Sequence, residues 1–593
     1  MLRSIVSRKN VKVPISQTKG ERLVKTQSEV KVISRSINQT SRTCCGKNVT
    51  NSNLNTNTNL SSNYPTIDSL NDVTNSNDIQ IIKLNDVIND EINDKIDSKS
   101  VESITDDINP VNPVDPVPSI KTISLEEINS LYLENPDFIY NITGDIYDGK
   151  TFILVQFNGE ISNYGAFGIN PQTGLPSSVI YLFELNFELN VISSTFLFSY
   201  DGTRSDYQYA QIKFLNNGDL IILASYTGKL TFSKNNKYIN INSITDGTYF
   251  LSKFNLSSLE NMGNLMWVLP ITALGTQNIE MTLDMLDNIY LAGTYQNIFK
   301  INSNSLTSSL LNDIFLTKVT PEGTVSWLRT SDKSPNTPSS SGVIRAESII
   351  FNLSQGFERI TVIGQYNSVF RYSNNDGTFL SVTNIHKVLS NLWVAQFDLN
   401  GNIIWMNDVV VKPNDLSVPI RQIGEWYITG YQIIYDFESS LYITGTLLGD
   451  YIFNPEMGTV GGEENLIYVA KISTDGQWKD YTRLHVKIPK NEIDWYPHLL
   501  YNDRVYLSVY GLGDIYYGSR DNDVYKSKGN LTLWINALID MVWQIPYSIQ
   551  ASIPNPSINL ISQGDDIVVI GSCIITTNNT NGYVKKLLSV NII

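Results

Sequence analysis

The chain has 593 residues, of which 41% are hydrophobic and only 17% charged, so it contains enough apolar material for a folded core and is not wholly disordered. Three cysteines are too few for a disulfide framework, and His386, His485 and His498 are too far apart in sequence to suggest a zinc site or a histidine-based triad. The sequence contains no apolar run of about 18 residues, so we expect no membrane-spanning helix.

The beginning of the chain differs in composition from the rest. Residues 1–50 contain eleven Lys and Arg against two acidic residues, whereas residues 51–108 are acidic and rich in Asn and Ser. Residues 109–118 read NPVNPVDPVP, which is typical of an extended linker. Such segments bury too little apolar surface to offset the entropy cost of ordering. The sequence therefore predicts a disordered tail over residues 1–120.

The basic block at residues 1–50 allows three interpretations. It can be a solvated tail, which is the commonest fate of such a composition. It resembles a transit peptide in lacking acidic residues near its start, although it has no long apolar core of a secretory signal. It can also make an electrostatic contact with nucleic acid or another acidic surface, which would weaken as salt rises.

From about residue 131 onward, one element recurs at intervals of 62 to 81 residues. It consists of a polar turn, a run of β-branched residues and a small residue, often followed by an aromatic one. A repeat of this length indicates a series of similar structural units. The seven copies are KTFILVQFNG (150–159), DLIILASYTG (219–228), NIYLAGTYQN (288–297), RITVIGQYNS (359–368), SLYITGTLLG (440–449), RVYLSVYGLG (504–513) and DIVVIGSCII (566–575).

A second element follows most copies of the first after about 25–30 residues. It alternates apolar and polar residues, passes through a Gly-containing turn and ends in a run with Trp. The clearest copies are IFLTKVTPEGTVSWLR (314–329) and LWVAQFDLNGNIIWMN (392–407), and IYVAKISTDGQW (467–478) matches the first part. Period-two alternation is typical of strands, and Gly401 and Gly476 supply the positive φ that tight turns between antiparallel strands need.

Further short apolar runs lie between the copies and are predicted to be the inner strand of each unit. They are IEMTLDM (279–285), IIFNLSQ (349–355), YQIIYDF (431–437) and INLISQG (558–564). Four strands in each of seven units predict an all-β, seven-bladed β-propeller of four-stranded antiparallel blades over residues 121–593. The last unit lacks a fourth strand, and KTISLEE (121–127) is the candidate that would complete it from the N-terminal side.

The segments NIYLAGTY and DIFLTKVTPEGTVSWLR resemble the repeat of the SBBP family of seven-bladed β-propellers. That repeat runs through an IYVTG strand and a DIFVAK strand to a Gly turn and a Trp. The best matches are residues 288–329 and 441–478, whereas the first and last units are degenerate. The resemblance implies the propeller fold and no single activity.

The abundance of Asn, Ile and Tyr also resembles that of proteins from giant viruses of amoebae, the mimivirus-like viruses. This resemblance implies a virion-associated or infection-related structural protein. The compartment would then be the virion or the host cytoplasm, and nothing in the sequence indicates secretion.

The sequence supplies no catalytic, cofactor-binding or metal-binding residue that we predict with a defined role. Cys44-Cys45 resembles the adjacent cysteines of quinoprotein dehydrogenases but lies in the predicted tail. Asp398, Asn400 and Asn402 are similar to a calcium loop, yet no later carboxylate completes one, so a hairpin turn explains them better. Residues 503–523 concentrate Tyr, Gly and Asp, as a sugar or peptide site does, and equally as an aromatic strand with its loop does.

These observations predict a non-enzymatic protein-binding or structural scaffold whose acidic propeller meets a basic or neutral protein partner. Two alternatives remain: a propeller-based glycan hydrolase, lyase or carbohydrate-binding protein, and a nucleic-acid-associated protein that acts through residues 1–50. An axial cluster of carboxylates with Tyr or Arg would favour the glycan enzyme. An empty or apolar channel would count against it.

Overall fold

The computed structural model consists of β-strands, and the part of the chain that it describes contains no α-helix and two short 3-10 helices, Ser162–Tyr164 and Pro455–Met457. The predicted all-β class is therefore confirmed. The predicted tail at residues 1–120 lies outside the described residues. The structure describes residues 122–592 except for 134–137, 201–209, 227, 235–236, 243–247, 257–262, 274, 276–278, 309, 333–341, 355, 385–389, 412–425, 458, 488–495, 503, 512–513, 518–523, 527–531, 540, 544–546, 551–558, 564–565 and 577–578.

After an initial strand, β1 (Thr122–Leu133), the strands fall into seven successive units. Unit 1 contains β2 (Phe138–Tyr147), β3 (Lys150–Asn158), β4 (Glu160–Ile161), β5 (Ala166–Phe167), β6 (Ser178–Leu185) and β7 (Val191–Tyr200). Unit 2 contains β8 (Ala210–Phe214), β9 (Leu220–Tyr226), β10 (Lys229–Lys234), β11 (Lys237–Asn242), β12 (Thr248–Asn255) and β13 (Asn264–Ala273). Unit 3 contains β14 (Ile279–Leu283), β15 (Ile289–Tyr295), β16 (Ile298–Ile301), β17 (Asn304–Thr307), β18 (Asp313–Val319) and β19 (Val325–Thr330).

The remaining units follow the same plan. Unit 4 contains β20 (Ile344–Ser354), β21 (Phe357–Tyr366), β22 (Val369–Ser373), β23 (Phe379–Thr383), β24 (Asn391–Phe397) and β25 (Ile403–Val411). Unit 5 contains β26 (Tyr427–Ile428), β27 (Gln432–Tyr435), β28 (Leu441–Ile452), β29 (Thr459–Ile472) and β30 (Trp478–Lys487). Unit 6 contains β31 (Tyr496–Tyr501), β32 (Val505–Gly511), β33 (Asp514–Tyr517), β34 (Val524–Lys526), β35 (Thr532–Ile539), β36 (Val542–Trp543) and β37 (Tyr547–Gln550), and unit 7 contains β38 (Asn559–Gln563), β39 (Asp566–Thr576) and β40 (Asn579–Ile592).

Each unit has the four antiparallel strands that the repeat predicts. In sheet order they are β2-β3-β6-β7, β8-β9-β12-β13, β14-β15-β18-β19, β20-β21-β24-β25, β27-β28-β29-β30, β31-β32-β35-β37 and β38-β39-β40-β1. We call these the first to fourth strands of a unit. The recurring β-branched element forms the second strand, and the element with the Gly turn forms the third and, in most units, the start of the fourth.

The core lies between neighbouring units, because each sheet is covered on both faces. One apolar cluster joins Leu251 of unit 2 to Phe315 of unit 3, and another joins Val568 of unit 7 to Ile153 of unit 1. Second strands such as β15 are consequently buried along their whole length. This burial explains why their sequences are continuous apolar runs rather than alternating patterns.

Hairpins inserted between the second and third strands reach back to the preceding unit. The β10–β11 hairpin of unit 2 pairs with β7 of unit 1, and the β16–β17 hairpin of unit 3 pairs with β13 of unit 2. Likewise β33 of unit 6 pairs with β30 of unit 5, and the end of β28 pairs with β25. Each of these fourth strands therefore gains a backbone-bonded neighbour from the following unit.

Two observations link the beginning of the described chain to its end. Strand β1 pairs with β40 over Thr122–Leu133, which includes most of the 121–127 segment predicted to complete the last unit. The first strands also contact one another in cyclic order, from β2 through β8, β14, β20, β27, β31 and β38 back to β2. Unit 7 is therefore packed against both unit 6 and unit 1.

The Trp residues of the repeat explain how neighbouring units are held in register. In units 2, 3 and 4, the indole on the fourth strand donates its Nε1–H to a carbonyl in the turn between the third and fourth strands of the next unit. The pairs are Trp267 with Pro321 at 3.0 Å, Trp327 with Leu399 at 3.2 Å, and Trp405 with Thr474 at 3.0 Å. We call this contact the indole–turn clamp.

Glycine is required in the clamp for two reasons. Gly323 has a φ of +84°, which favours glycine, and a Cβ built there would lie 2.9 Å from the Trp267 ring. Gly401 and Gly476 repeat this relation with the rings of Trp327 and Trp405. The Gly and the Trp of the sequence repeat thus belong to one contact between units.

We predict that Gly323→Ala destabilises the protein more than Gly377→Ala, although both glycines have a φ of +84°. A Cβ at Gly377 has no neighbour within 4 Å, so this control variant bears only the backbone cost of about 1–2 kcal/mol. Gly323→Ala adds an overlap with the indole of roughly 1–3 kcal/mol. Chemical denaturation of the two variants measures the difference, and equal midpoints would contradict the clamp.

Candidate functional site

Polar side chains of the first strands in units 2 to 4 form the candidate site. In β14, Ile279 and Met281 are buried while Glu280 between them is only half-buried. Arg345 and Glu347 of β20 are also half-buried and alternate with buried Ala346. In β14 this alternation follows from strand geometry, which turns successive side chains to opposite faces. We call Glu280, Arg345 and Glu347 the first-strand cluster.

A β-bulge determines where Glu347 lies. Ala346 is paired with Gly364 and Ser348 with Ile363, so Glu347 is an extra residue without a partner on β21. A bulge of this kind redirects the extra side chain. The bulge depends on Gly364, because a Cβ there would lie 1.8 Å from the Arg345 carbonyl oxygen, which accepts the Trp393 Nε1–H at 3.0 Å.

Unit 5 contains the same arrangement of a second-strand glycine facing a carbonyl oxygen that accepts a side-chain hydrogen bond. The Thr429 carbonyl oxygen accepts the Tyr468 hydroxyl at 2.7 Å, and a Cβ on Gly445 would lie 1.8 Å from that oxygen. The glycine of the recurring second-strand element therefore allows an irregular first strand to approach closely in these two units.

Unit 2 anchors Glu280 from the other side. The Gln211 amide accepts the Met281 N–H at 2.9 Å through Oε1 and donates through Nε2 to the Glu280 carboxylate.

Burial raises the pKa of Glu347 to about 7, with the Glu280 charge acting in the same direction and Arg345 opposing it. The first-strand cluster thus combines an anchored carboxylate, a guanidinium and a carboxyl group that exchanges its proton near neutral pH.

The other described units also place polar groups on their first strands. Asp145 of unit 1 lies 3.9 Å from the Lys213 ammonium of unit 2, and Gln432 of unit 5 accepts the Leu499 N–H of unit 6 at 2.5 Å. His498 lies on β31, where burial lowers its pKa to about 4, so the imidazole is neutral at physiological pH. These groups are joined in pairs or lie singly rather than forming a second cluster.

A carboxylate–tyrosine–lysine arrangement in the turns after the first strands is structural. The Asp284 carboxylate accepts the backbone N–H groups of Leu286 and Asn288 at 2.9 Å and the Tyr290 hydroxyl at 3.0 Å, with the Lys318 ammonium 3.8 Å away. Burial, followed by the charge of Asp284, raises the pKa of Tyr290 well above its usual range. Unit 5 repeats the arrangement with Asp436, Tyr442 and Lys471. These groups stabilise the turns that they join.

The calcium-like sequence at 398–402 is a turn. The Asp398 carboxylate accepts the backbone N–H groups of Asn400 and Asn402 at 2.9 and 2.8 Å, as the hairpin interpretation requires. Among the residues that the structure describes, no group of three or more His, Cys, Asp and Glu is placed to hold a metal ion. Cys44, Cys45 and His386 lie outside the described residues, as do parts of the 503–523 segment.

A small cavity of about 10 Å³ lies between units 1 and 2. Asn141, Gln156 and Tyr200 are among its lining residues. This volume holds about one water molecule, so the cavity does not suit an organic substrate.

No protein-family model matches the chain, and no curated protein matches it in sequence. Among solved structures, a Dyadobacter fermentans protein of unknown function is similar over 78% of this chain and 99% of its own, with 9% identity and a TM-score of 0.33. The phage phi92 endosialidase is similar over 80% of this chain and 70% of its own, with 9% identity and a TM-score of 0.31. A mutant of the Bacillus licheniformis GH43 protein BlXynB is similar over 78% of this chain and 87% of its own, with 8% identity and a TM-score of 0.19.

In the described segments, no helix is long and apolar enough to cross a membrane.

We predict that Glu347 makes the stability of the protein fall as pH rises from about 4.5, the usual pKa of the group, to about 7. The folded state holds the proton more tightly than the unfolded state, so deprotonation in this window favours unfolding. Glu347→Gln removes this contribution, whereas Gln in place of exposed Glu456 leaves it intact. Denaturation midpoints at pH 5 and pH 7.5 test this prediction, and an unchanged pH dependence in Glu347→Gln would contradict it.

Proposed function

We propose that the seven units close into a β-propeller and that this propeller is a non-enzymatic scaffold for binding a protein partner. The observation that carries the closure is the cyclic order of contacts between first strands, from β2 to β38 and back to β2. The pairing of β1 with β40 supports it, since it supplies the fourth strand that unit 7 otherwise lacks.

A scaffold must hold its surface loops in fixed positions, and the contacts between units favour this role. The indole–turn clamps join units 2 to 5 in succession. The backward-reaching hairpins add backbone hydrogen bonds between several neighbouring units. Rigid loops lose little entropy when a partner binds, which favours affinity.

We also propose that the protein is an SBBP-type propeller, as its repeat suggests. The Gly and Trp that carry the resemblance meet in the indole–turn clamp. This contact between units supports the proposal, because it gives the two residues of the SBBP-like motif a structural role in a propeller. The giant-virus resemblance and a virion-associated role rest on composition alone.

A glycan hydrolase or lyase is the second candidate, and the first-strand cluster favours it. A carboxyl group whose pKa is about 7 can donate a proton at neutral pH, as a general acid must. Glu280 supplies a second carboxylate from the adjacent unit, and Arg345 supplies a cation. Two carboxyl groups are the minimum that glycoside hydrolysis uses, and a cluster of carboxylates with Arg is the feature predicted above to favour a glycan enzyme.

We predict that Leu133→Ala lowers the free energy of unfolding by about 2–4 kcal/mol. Leu133 ends β1, is fully buried and packs in the cluster that contains residues of units 7 and 1. Leu175→Ala is the control, since Leu175 is 64% exposed and should change stability by less than about 0.5 kcal/mol. Denaturant titration compares the two, and similar losses would argue against closure through β1.

One experiment separates the scaffold from the enzyme. Tagged full-length protein and its Glu347→Gln variant are used as baits in native extracts, and both are incubated with a panel of polysaccharides while reducing ends are measured. A scaffold retains the same proteins with both baits and releases no sugar. Release of sugar that falls at least about a hundredfold in Glu347→Gln and in Glu280→Gln, but not in Glu456→Gln, would overturn the scaffold proposal and establish the enzyme.

A further inference from the structure

Large apolar side chains are exposed at three consecutive turns between first and second strands. Leu286 in unit 3 is 72% exposed, Phe357 in unit 4 is 60% exposed and Phe437 in unit 5 is 51% exposed. Met285 beside Leu286 is also exposed. We call Met285, Leu286, Phe357 and Phe437 the apolar arc. Contiguous exposed apolar residues mark interaction sites more often than isolated ones do.

Contacts between units place these turns side by side. The Ser439 hydroxyl, in the turn of unit 5, donates to the Leu353 carbonyl just before the turn of unit 4 at 2.6 Å. The Phe351 N–H donates to the Thr282 hydroxyl just before the turn of unit 3 at 3.0 Å. The arc continues toward unit 6, where the Phe437 and Tyr501 rings form a T-shaped pair with their centroids 5.0 Å apart.

The turns are fixed by their own hydrogen bonds. In unit 3, Asp284 bonds the Leu286 and Asn288 amides, and in unit 5 Asp436 bonds the Glu438 and Ser440 amides at 2.9 and 2.8 Å. Their exposed side chains are therefore presented from short, closed turns rather than from long loops. A surface organised in this way loses little entropy on binding.

Each exposed turn also carries an acidic residue directly after its apolar one. These residues are Asp287 after Leu286, Glu358 after Phe357, and Glu438 after Phe437. The Arg359 guanidinium lies 5.0 Å over the Phe357 ring and offsets part of this charge. Asp284 and Asp436 lie beside Lys318 and Lys471 and add little net charge. The arc is thus an apolar patch with an acidic margin.

We propose that the apolar arc docks a segment of another polypeptide that presents large apolar side chains flanked by Lys or Arg. The apolar residues would be covered at the centre of the contact, and the partner's cations would meet Asp287, Glu358 and Glu438 at its margin. An apolar centre with a charged margin is the usual anatomy of such contacts, and complementary charge selects the partner. This inference rests on the proposed binding function and names its site and the chemistry of its partner.

The test uses a phage-displayed library of random dodecapeptides, panned against the full-length protein. Enriched peptides are expected to combine large apolar residues with Lys or Arg. Synthetic copies should bind the triple variant Leu286→Ser, Phe357→Ser, Phe437→Ser at least about tenfold more weakly than wild type. The matched control is the triple variant Ile192→Ser, Met266→Ser, Ile404→Ser, which alters exposed residues of fourth strands and should change affinity by less than about twofold.

A second variant tests the acidic margin. Glu358→Gln combined with Glu438→Gln should weaken binding and reduce its dependence on salt, because it removes two of the attracting charges. The proposal is overturned if no peptide is enriched, if enriched peptides lack basic residues, or if they bind the arc variant as tightly as the control. It is also overturned if the arc variant turns a self-associated wild type into a monomer, since the arc would then bind a second copy. The two proposals fail separately. If the baits still retain proteins from native extracts when the arc proposal is overturned, the scaffold function stands and its binding site lies elsewhere on the protein.

Discussion

The indole–turn clamp is the contact on which the arrangement of units 2 to 5 depends. It needs a tight turn with positive φ in one unit and a planar donor on the fourth strand of the preceding unit. The turn needs a residue that adopts a positive φ and that leaves room for the indole ring. Glycine meets both requirements, because it has no Cβ. The clamped residues are 54, 72 and 69 residues apart along the chain, so each clamp joins segments that belong to successive units.

The first strands combine structural and chemical roles. Their edges receive side-chain hydrogen bonds from neighbouring units, such as that of Gln211 with Met281, which hold adjacent sheets together. The same strands carry the polar side chains of the first-strand cluster. In unit 4 the structural and the chemical role meet at one bulge. The Arg345 carbonyl accepts the Trp393 indole N–H, and Glu347 is the extra residue that has no partner on β21. Burial at this position then raises the pKa of its carboxyl group.

The local pattern of the sequence predicts the second, third and fourth strands well, because apolar periodicity and Gly turns are short-range signals. First strands are predicted less accurately: in unit 4 the sequence predicts a strand over 349–355, whereas β20 spans Ile344–Ser354. Arg345 and Glu347 precede the predicted run and were therefore missed, although Glu280 lies within the predicted run 279–285. The bulge depends on a partner strand and on Trp393, which are distant in sequence. The backward-reaching hairpins could not be predicted either, since their partners lie in the preceding unit.

The pairing of β1 with β40 has a consequence for synthesis of the chain. Thr122 leaves the ribosome long before Ile592, its partner in the ladder. At about 5–20 residues per second, the intervening residues take from roughly half a minute to a minute and a half to be made. During this time β1 lacks its final neighbour, while the earlier units can already pair among themselves. Among the described strands, β1 is thus the earliest to be translated, and its sheet is complete only after residues 579–592 have been made.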